Sequence, residues 1–209
     1  SEHARSYLEA EGIKKNQIFK TGSHMFEVLR KHELDISQSK ILETLNLSKN
    51  DYFLVSLHRE ENVDEKNKLS VAIDSLERLA DEHNKKVIIS THPRTQNALK
   101  EHKIISTDRL SFLEPFGFFD YVKLQKEAYC VVSDSGTITE EASILEFPAV
   151  MIREMHERPE GVDVGAVPLG SLSYETLSLA VTISLNTDRI SPVDAYSNLH
   201  VSDMIVRSI

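Results

Sequence analysis

The sequence predicts an α/β fold, a doubly wound parallel sheet of the Rossmann-like kind, on three observations. Short, mainly apolar runs recur along the chain at Tyr52 to Leu57, Lys86 to Ser90, Leu110 to Leu113, Tyr129 to Val132 and Pro148 to Ile152. Between them lie segments whose apolar residues repeat at helical spacing, as Leu69, Ile73, Leu76 and Leu79 do. Strands alternating with helices imply right-handed crossovers and a sheet covered on both faces. Finally, polar clusters follow four of the strands, at the carboxyl ends where such sheets hold their ligands. These are His58 to Asn62, Thr91 to Arg94, Ser133 to Thr137 and Arg153 to Glu160.

From the start of the chain, Glu2 to Glu11 carries Ala4, Tyr7 and Leu8 at helical spacing and stops at Gly12. A helix that begins so abruptly, with no initiator Met, suggests a chain that starts partway through a larger protein. Ile18 to Thr21 is a strand candidate, and the Gly22-Ser23-His24-Met25 that follows reads as native sequence leading to a helix through Lys31. A helix at Ser37 to Leu45 precedes the first core strand. After the polar loop His58 to Lys66 come the helix around Leu69 to Leu79, the strand from Lys86, a helix from Thr95 to Lys103, and the strand from Leu110. Phe118 to Ala128 and Ile138 to Leu145 read as helices around the Tyr129 strand. Ala166 to Leu169 is a last strand, with helices at Tyr174 to Leu185 and from Val193 onward.

Composition bounds the function. The chain has 209 residues, 40% of them hydrophobic, enough for a sizeable core. A net charge of −9 argues against nucleic acid or an anionic membrane recognised through bulk charge, so any anion site must be local. The single cysteine, Cys130, lies in an apolar run and reads as a buried thiol in a reducing compartment. With no membrane-spanning run and no signal peptide at the start, a cytoplasmic location is expected.

The segment Ser133-Asp134-Ser135-Gly136-Thr137-Ile138-Thr139-Glu140-Glu141-Ala142 is the focus of the chain. It reads as strand, tight turn and helix N-terminus, where unpaired N–H groups and the helix dipole suit a phosphate. Ser135 and Thr137 add hydroxyls, and Gly136 admits close approach. The same residues also fit an ordinary capped helix, with Thr137 and Glu140 as a capping box. Glu141, one position on, is placed to receive a sugar hydroxyl at the mouth of the turn.

His58-Arg59-Glu60-Glu61-Asn62 joins an imidazole, a fixed cation and two carboxylates directly after a strand. That set suits proton transfer or a departing phosphate at His58, and a diphosphate at Arg59. Thr91-His92-Pro93-Arg94 reads better as a turn set by Pro93 than as a second phosphate site. His58, Glu61 and His92 lack diagnostic ligand spacing, so no metal and no other cofactor is expected. Arg153 to Gly161 reads equally as a functional loop or as an ion-pair cluster. Tyr121 can stack on a base or serve the core.

Taken together, Thr21-Gly22-Ser23, Leu57-His58-Arg59-Glu60-Glu61-Asn62, Ser133-Asp134-Ser135-Gly136 with Glu140-Glu141-Ala142, and Glu157-Arg158-Pro159-Glu160 resemble the C-terminal half of the non-hydrolysing UDP-N-acetylglucosamine 2-epimerase family. The wording is most similar to the capsule and O-antigen branch of UDP-N-acetyl-L-fucosamine synthases. The resemblance implies the second domain of a two-domain fold of the glycosyltransferase-B type: residues 1–20 end the first domain, 21–190 form the UDP-binding domain, and 191–209 form a helix returning to the first. It also implies that Ser135 and Gly136 hold the diphosphate, Glu141 the ribose, and Tyr121 the uracil face, with Thr137 among the UDP-binding residues. His58 would act at the diphosphate and reacting sugar and Arg158 at the phosphate site, with Arg59 and Glu61 among the UDP-binding residues. The substrate would be a UDP-N-acetylhexosamine, and the intact protein a homodimer. Thr137 stands where the family usually has a second glycine. The proton-transfer carboxylates would belong to the missing N-terminal domain, so this chain alone is expected to show no turnover. A UDP-sugar glycosyltransferase and a nucleotide-sugar sensing module are the alternatives.

Overall fold

The computed structural model describes residues 1–153, 158–188 and 193–209. Glu154, Met155, His156 and Glu157 of the Arg153 to Gly161 loop lie outside the described residues, as does the 190/191 domain boundary.

Helix α1 (Glu2–Ala10) is capped by Ser1, whose Oγ accepts from the Ala4 amide. Residues 11–24 then run without a strand. The expected strand at Ile18 to Thr21 does not form: Phe19 is 69% exposed, and an extended segment without a partner has no ladder to join. Helices α2 (Met25–Lys31), α3 (Glu33–Gln38) and α4 (Ile41–Thr44) follow. The single helix expected at Ser37 to Leu45 is therefore broken. Ser39 takes an extended ψ of 132°, accepts from the Ile41 amide and donates to Asp120, so its side chain competes with helix continuation.

The core alternates as expected: β1 (Tyr52–Ser56), α5 (Glu60–Val63), α6 (Lys66–His83), β2 (Lys86–Ser90), α7 (Pro93–His102), β3 (Leu110–Leu113), α8 (Phe118–Glu127), β4 (Cys130–Ser133), α9 (Ile138–Leu145), β5 (Ala149–Ile152), α10 (Pro159–Asp163), β6 (Leu169–Gly170) and α11 (Tyr174–Asn186). Strand β6 is shorter than expected, though the Pro168 carbonyl still accepts from Met151. After α11, the helix expected from Val193 onward is a single turn at Asp194–Tyr196 followed by α12 (Val201–Ser208). Among the described residues, no helix is long and apolar enough to cross a membrane.

All strand pairs are parallel, in the order β3-β2-β1-β4-β5-β6. Side chains alternate between the two faces. Phe53, Val55, Val87, Ile89, Cys130 and Val132 pack with α6, α7 and α11, whereas Tyr52, Leu54, Ile88, Val131 and Met151 pack on the opposite layer with α8 and α9. The Tyr52 hydroxyl, buried there, donates to the Leu124 carbonyl over 2.7 Å. The strand order reverses between β1 and β4, and at that switch point a crevice opens beyond the strand ends. Ser56 sits in register with Ser90 on one side and Ser133 on the other, so three central strands turn polar at one level.

Candidate functional site

The loops leaving β1 and β4 meet at Asp134. Its carboxylate is fully buried and accepts from the backbone amides of His58 and Arg59, both at 3.0 Å, and from Asn62 Nδ2 at 3.0 Å. Its Oδ1 also lies 2.9 Å from His58 Nδ1, while the His58 side chain is 40% exposed. Nδ1 is thus engaged from below and Nε2 is the nitrogen left to meet a ligand. The Asp134 hydrogen bond raises the His58 pKa, with desolvation opposing it and the Asp134 charge adding to it. Burial alone would raise the Asp134 carboxyl, but the His58 hydrogen bond and charge, with the Arg59 and Asn62 donors, hold it below the usual value. The aspartate therefore builds the β1 loop and sets the imidazole toward its cationic form.

The β4–α9 turn supplies the opposite wall. Ser133 Oγ accepts from the Ser135 amide at 3.0 Å, and the hydroxyls of Ser135 and Thr137 lie 2.9 Å apart. A Cβ added at Gly136 would stand 3.1 Å from Arg153 Nη1 and 3.8 Å from Arg158 Nε, so two guanidinium groups converge on the bare backbone of the turn. Arg153 is buried on the floor, at the end of β5; Arg158 begins α10. Gly161 seats that helix, because a Cβ there would lie 2.8 Å from Thr139 Cβ.

The capping box that Thr137 and Glu140 also fit does not form, since the Thr137 side chain makes no capping hydrogen bond to α9. Glu140 is buried and instead takes the Ser23 hydroxyl and the Arg158 guanidinium. These partners come from remote stretches of chain, and charge pairing outweighs a local cap. Glu141 accepts from Gln125 Nε2 at 2.5 Å and meets the Thr137 hydroxyl. Burial raises its pKa, against those two hydrogen bonds. The Tyr121 ring packs on the core, and its hydroxyl has Ser56 and Glu141 as polar neighbours.

Of the sequence-derived candidates, His58, Ser135, Gly136, Thr137, Glu141, Tyr121 and Arg158 thus gather around the β1/β4 crevice. Arg59 and Glu61 are drawn to each other, with Nε to Oε1 at 3.2 Å. His92 accepts from the Arg94 amide at 3.3 Å, the turn role expected of it, and Arg94 pairs with Glu60 and Asp64. Residue type alone does not single out Asp134, Asn62 or Gln125, and it points Glu140 to a cap instead of to Ser23 and Arg158. A signal for Asp134 was present, because a carboxylate directly after a fully buried strand needs several donors, and the His58 loop offers them.

The comparisons fit this site. A family model described as UDP-N-acetylglucosamine 2-epimerase matches residues 1–209. The chain is 36% identical over 196 residues to UDP-N-acetylglucosamine 2-epimerase of Methanocaldococcus jannaschii, covering 90% of this chain and 54% of that protein. Against the Bacillus subtilis protein of the same name it is 27% identical, covering 93% and 51%. The structure of UDP-N-acetylglucosamine 2-epimerase from Rickettsia bellii superposes with a TM-score of 0.88 at 46% identity, covering 99% of this chain and 57% of that one. The M. jannaschii enzyme in complex with UDP-GlcNAc and UDP gives 0.91 at 34% identity, covering 100% and 59%. The fold defines a Rossmann-like α/β domain of the glycosyltransferase-B type, with its crevice at the sheet's switch point. The chain belongs to the UDP-N-acetylglucosamine 2-epimerase family, and it spans about half the length of the relatives it matches.

Proposed function

We propose that this chain is the UDP-binding half of a UDP-N-acetylhexosamine 2-epimerase, acting in the supply of precursors for cell-surface polysaccharide. The observation that carries the reading is the β1/β4 crevice, where the His58–Asp134 pair faces a hydroxyl-rich turn on which Arg153 and Arg158 converge. A diphosphate there accepts from the Ser135 and Thr137 hydroxyls and from the backbone at Gly136, with His58 and Arg158 supplying positive charge. Glu141 receives the ribose hydroxyls and Tyr121 meets the uracil. Arg59 and Glu61 rim the site.

In the epimerase reaction, a base removes the C2 proton as the C1–O bond breaks, giving a 2-acetamidoglycal and UDP. UDP then adds back to C1 while C2 is protonated on the other face. A cationic His58 and Arg158 stabilise the negative charge on departing UDP, or His58 protonates it. The proton-transfer carboxylates are assigned to the part of the intact protein beyond this chain, so the chain alone turns nothing over. Residues 1–20 end the neighbouring domain, 21–190 form the UDP domain, and 191–209 return to the first domain. The intact protein is a cytoplasmic homodimer without a metal or other cofactor.

The test is solvent exchange. The intact protein, incubated with UDP-N-acetylglucosamine in D2O without an acceptor, is expected to place deuterium at C2. His58→Asn should slow this at least about tenfold. Transfer to an acceptor without C2 exchange would contradict the reading.

A further inference from the structure

Gln125 on α8 is a fully buried amide. Its side chain is 0% exposed, and its Nε2 donates to Glu141 Oε2 over 2.5 Å. Its Oε1 is buried with no hydrogen-bond partner among the described residues. A methionine or leucine would fill nearly the same volume without burying an amide, so the fold gains little from glutamine here. What the amide does reach is the carboxylate. Tyr121 lies one helical turn earlier on the same face, beside Glu141, and the Thr137 hydroxyl meets Glu141 from the turn. Glu141 itself is only partly buried. Gln125 grips its carboxylate, and the residue is not fully enclosed.

We propose that Gln125 is a positioning residue for ribose selection, holding the Glu141 carboxylate in the one orientation that receives both hydroxyls of the nucleotide's ribose. This rests on the reading of Glu141 as the ribose acceptor. Without the amide, the carboxylate turns toward Thr137 or solvent and meets a ligand diol at a poorer angle. Burial also disfavours its charged form, which the Gln125 and Thr137 hydrogen bonds offset only in part. Gln125 touches no ligand; it acts only through Glu141.

The test compares UDP with 2′-deoxy-UDP by calorimetric titration of the 209-residue chain and its variants. Wild type is expected to prefer UDP by about tenfold or more, the worth of a hydrogen bond to a charged group. Gln125→Met should shrink that preference to about threefold or less while changing 2′-deoxy-UDP affinity less than about twofold, with no fall in Tm because the orphaned carbonyl is gone. Gln125→Leu repeats the test should the methionine chain fail to fold. Equal weakening of both nucleotides, with the preference intact, would overturn the proposal. Glu141→Gln separates the two layers: if it leaves the preference intact, the ribose reading of Glu141 fails, and the proposal with it. If it abolishes the preference while Gln125→Met does not, only the role of Gln125 fails.

Discussion

Asp134 and His58 form a pair in which one partner is wholly buried and the other half open, with Oδ1 and Nδ1 2.9 Å apart across the β1/β4 switch point. The aspartate also holds two amides of the His58 loop and Asn62, so the pair is both the scaffold of that loop and its electrostatic setting. Asp134→Asn keeps the shape but turns an N–H toward donors. It is expected to lower stability by about 2–4 kcal/mol and to loosen the loop, read by denaturant unfolding.

The pair also sets a pH dependence. His58 is raised above its ordinary 6.5, so its contribution to stability is complete below that value and fades as pH rises through the raised one. Asp134 is lowered below 3.8, so its contribution is present above that value and fades as pH falls through the lowered one. Both contributions are therefore complete between about pH 3.8 and 6.5, and the His58 part fades above that. Tm measured against pH should fall above about pH 6.5 more steeply in wild type than in His58→Asn; equal slopes would deny the linkage.

Gly161 is expected to be intolerant of any side chain. A methyl group would press on Thr139, 2.8 Å away, and push α10 and its Arg158 off the turn. Gly161→Ala should cost about 1–3 kcal/mol in unfolding free energy, and UDP affinity should drop alongside.

Glu140 ties three stretches of chain together through Ser23 and Arg158. Glu140→Gln removes the charge that holds Arg158 and weakens the anchor of the Thr21 to Ser23 segment. Hydrogen exchange should then speed up at 21–24, with stability lower by about 1–3 kcal/mol. Unchanged protection there would show that the Ala195 and Asn198 contacts hold the segment alone.

The central sheet was readable from sequence because each strand is an apolar run ended by polar residues, and parallel strands are buried on both faces. Ile138–Leu145 is found where helical spacing placed it. Features that depend on distant partners were not readable. Ile18 to Thr21 has strand-like residues but no neighbouring strand, and the break at Ser39 requires Asp120, 81 positions later. The same limit shaped the site. His58 and Ser135 stand out by residue type just past strand ends, and Glu141 by its place in the first turn of the next helix. The meaning of Asp134 lies in donors more than 70 positions earlier, and Glu140 resembles a cap until Ser23, 117 positions away, and Arg158 are brought to it.

The most direct measurement is calorimetric titration of this 209-residue chain with UDP and with uridine. One saturable site is expected for UDP, with uridine at least about tenfold weaker because it lacks the diphosphate that the turn, His58 and Arg158 receive. His58→Asn should close most of that gap. No UDP binding, or equal binding of UDP and uridine, would contradict the account.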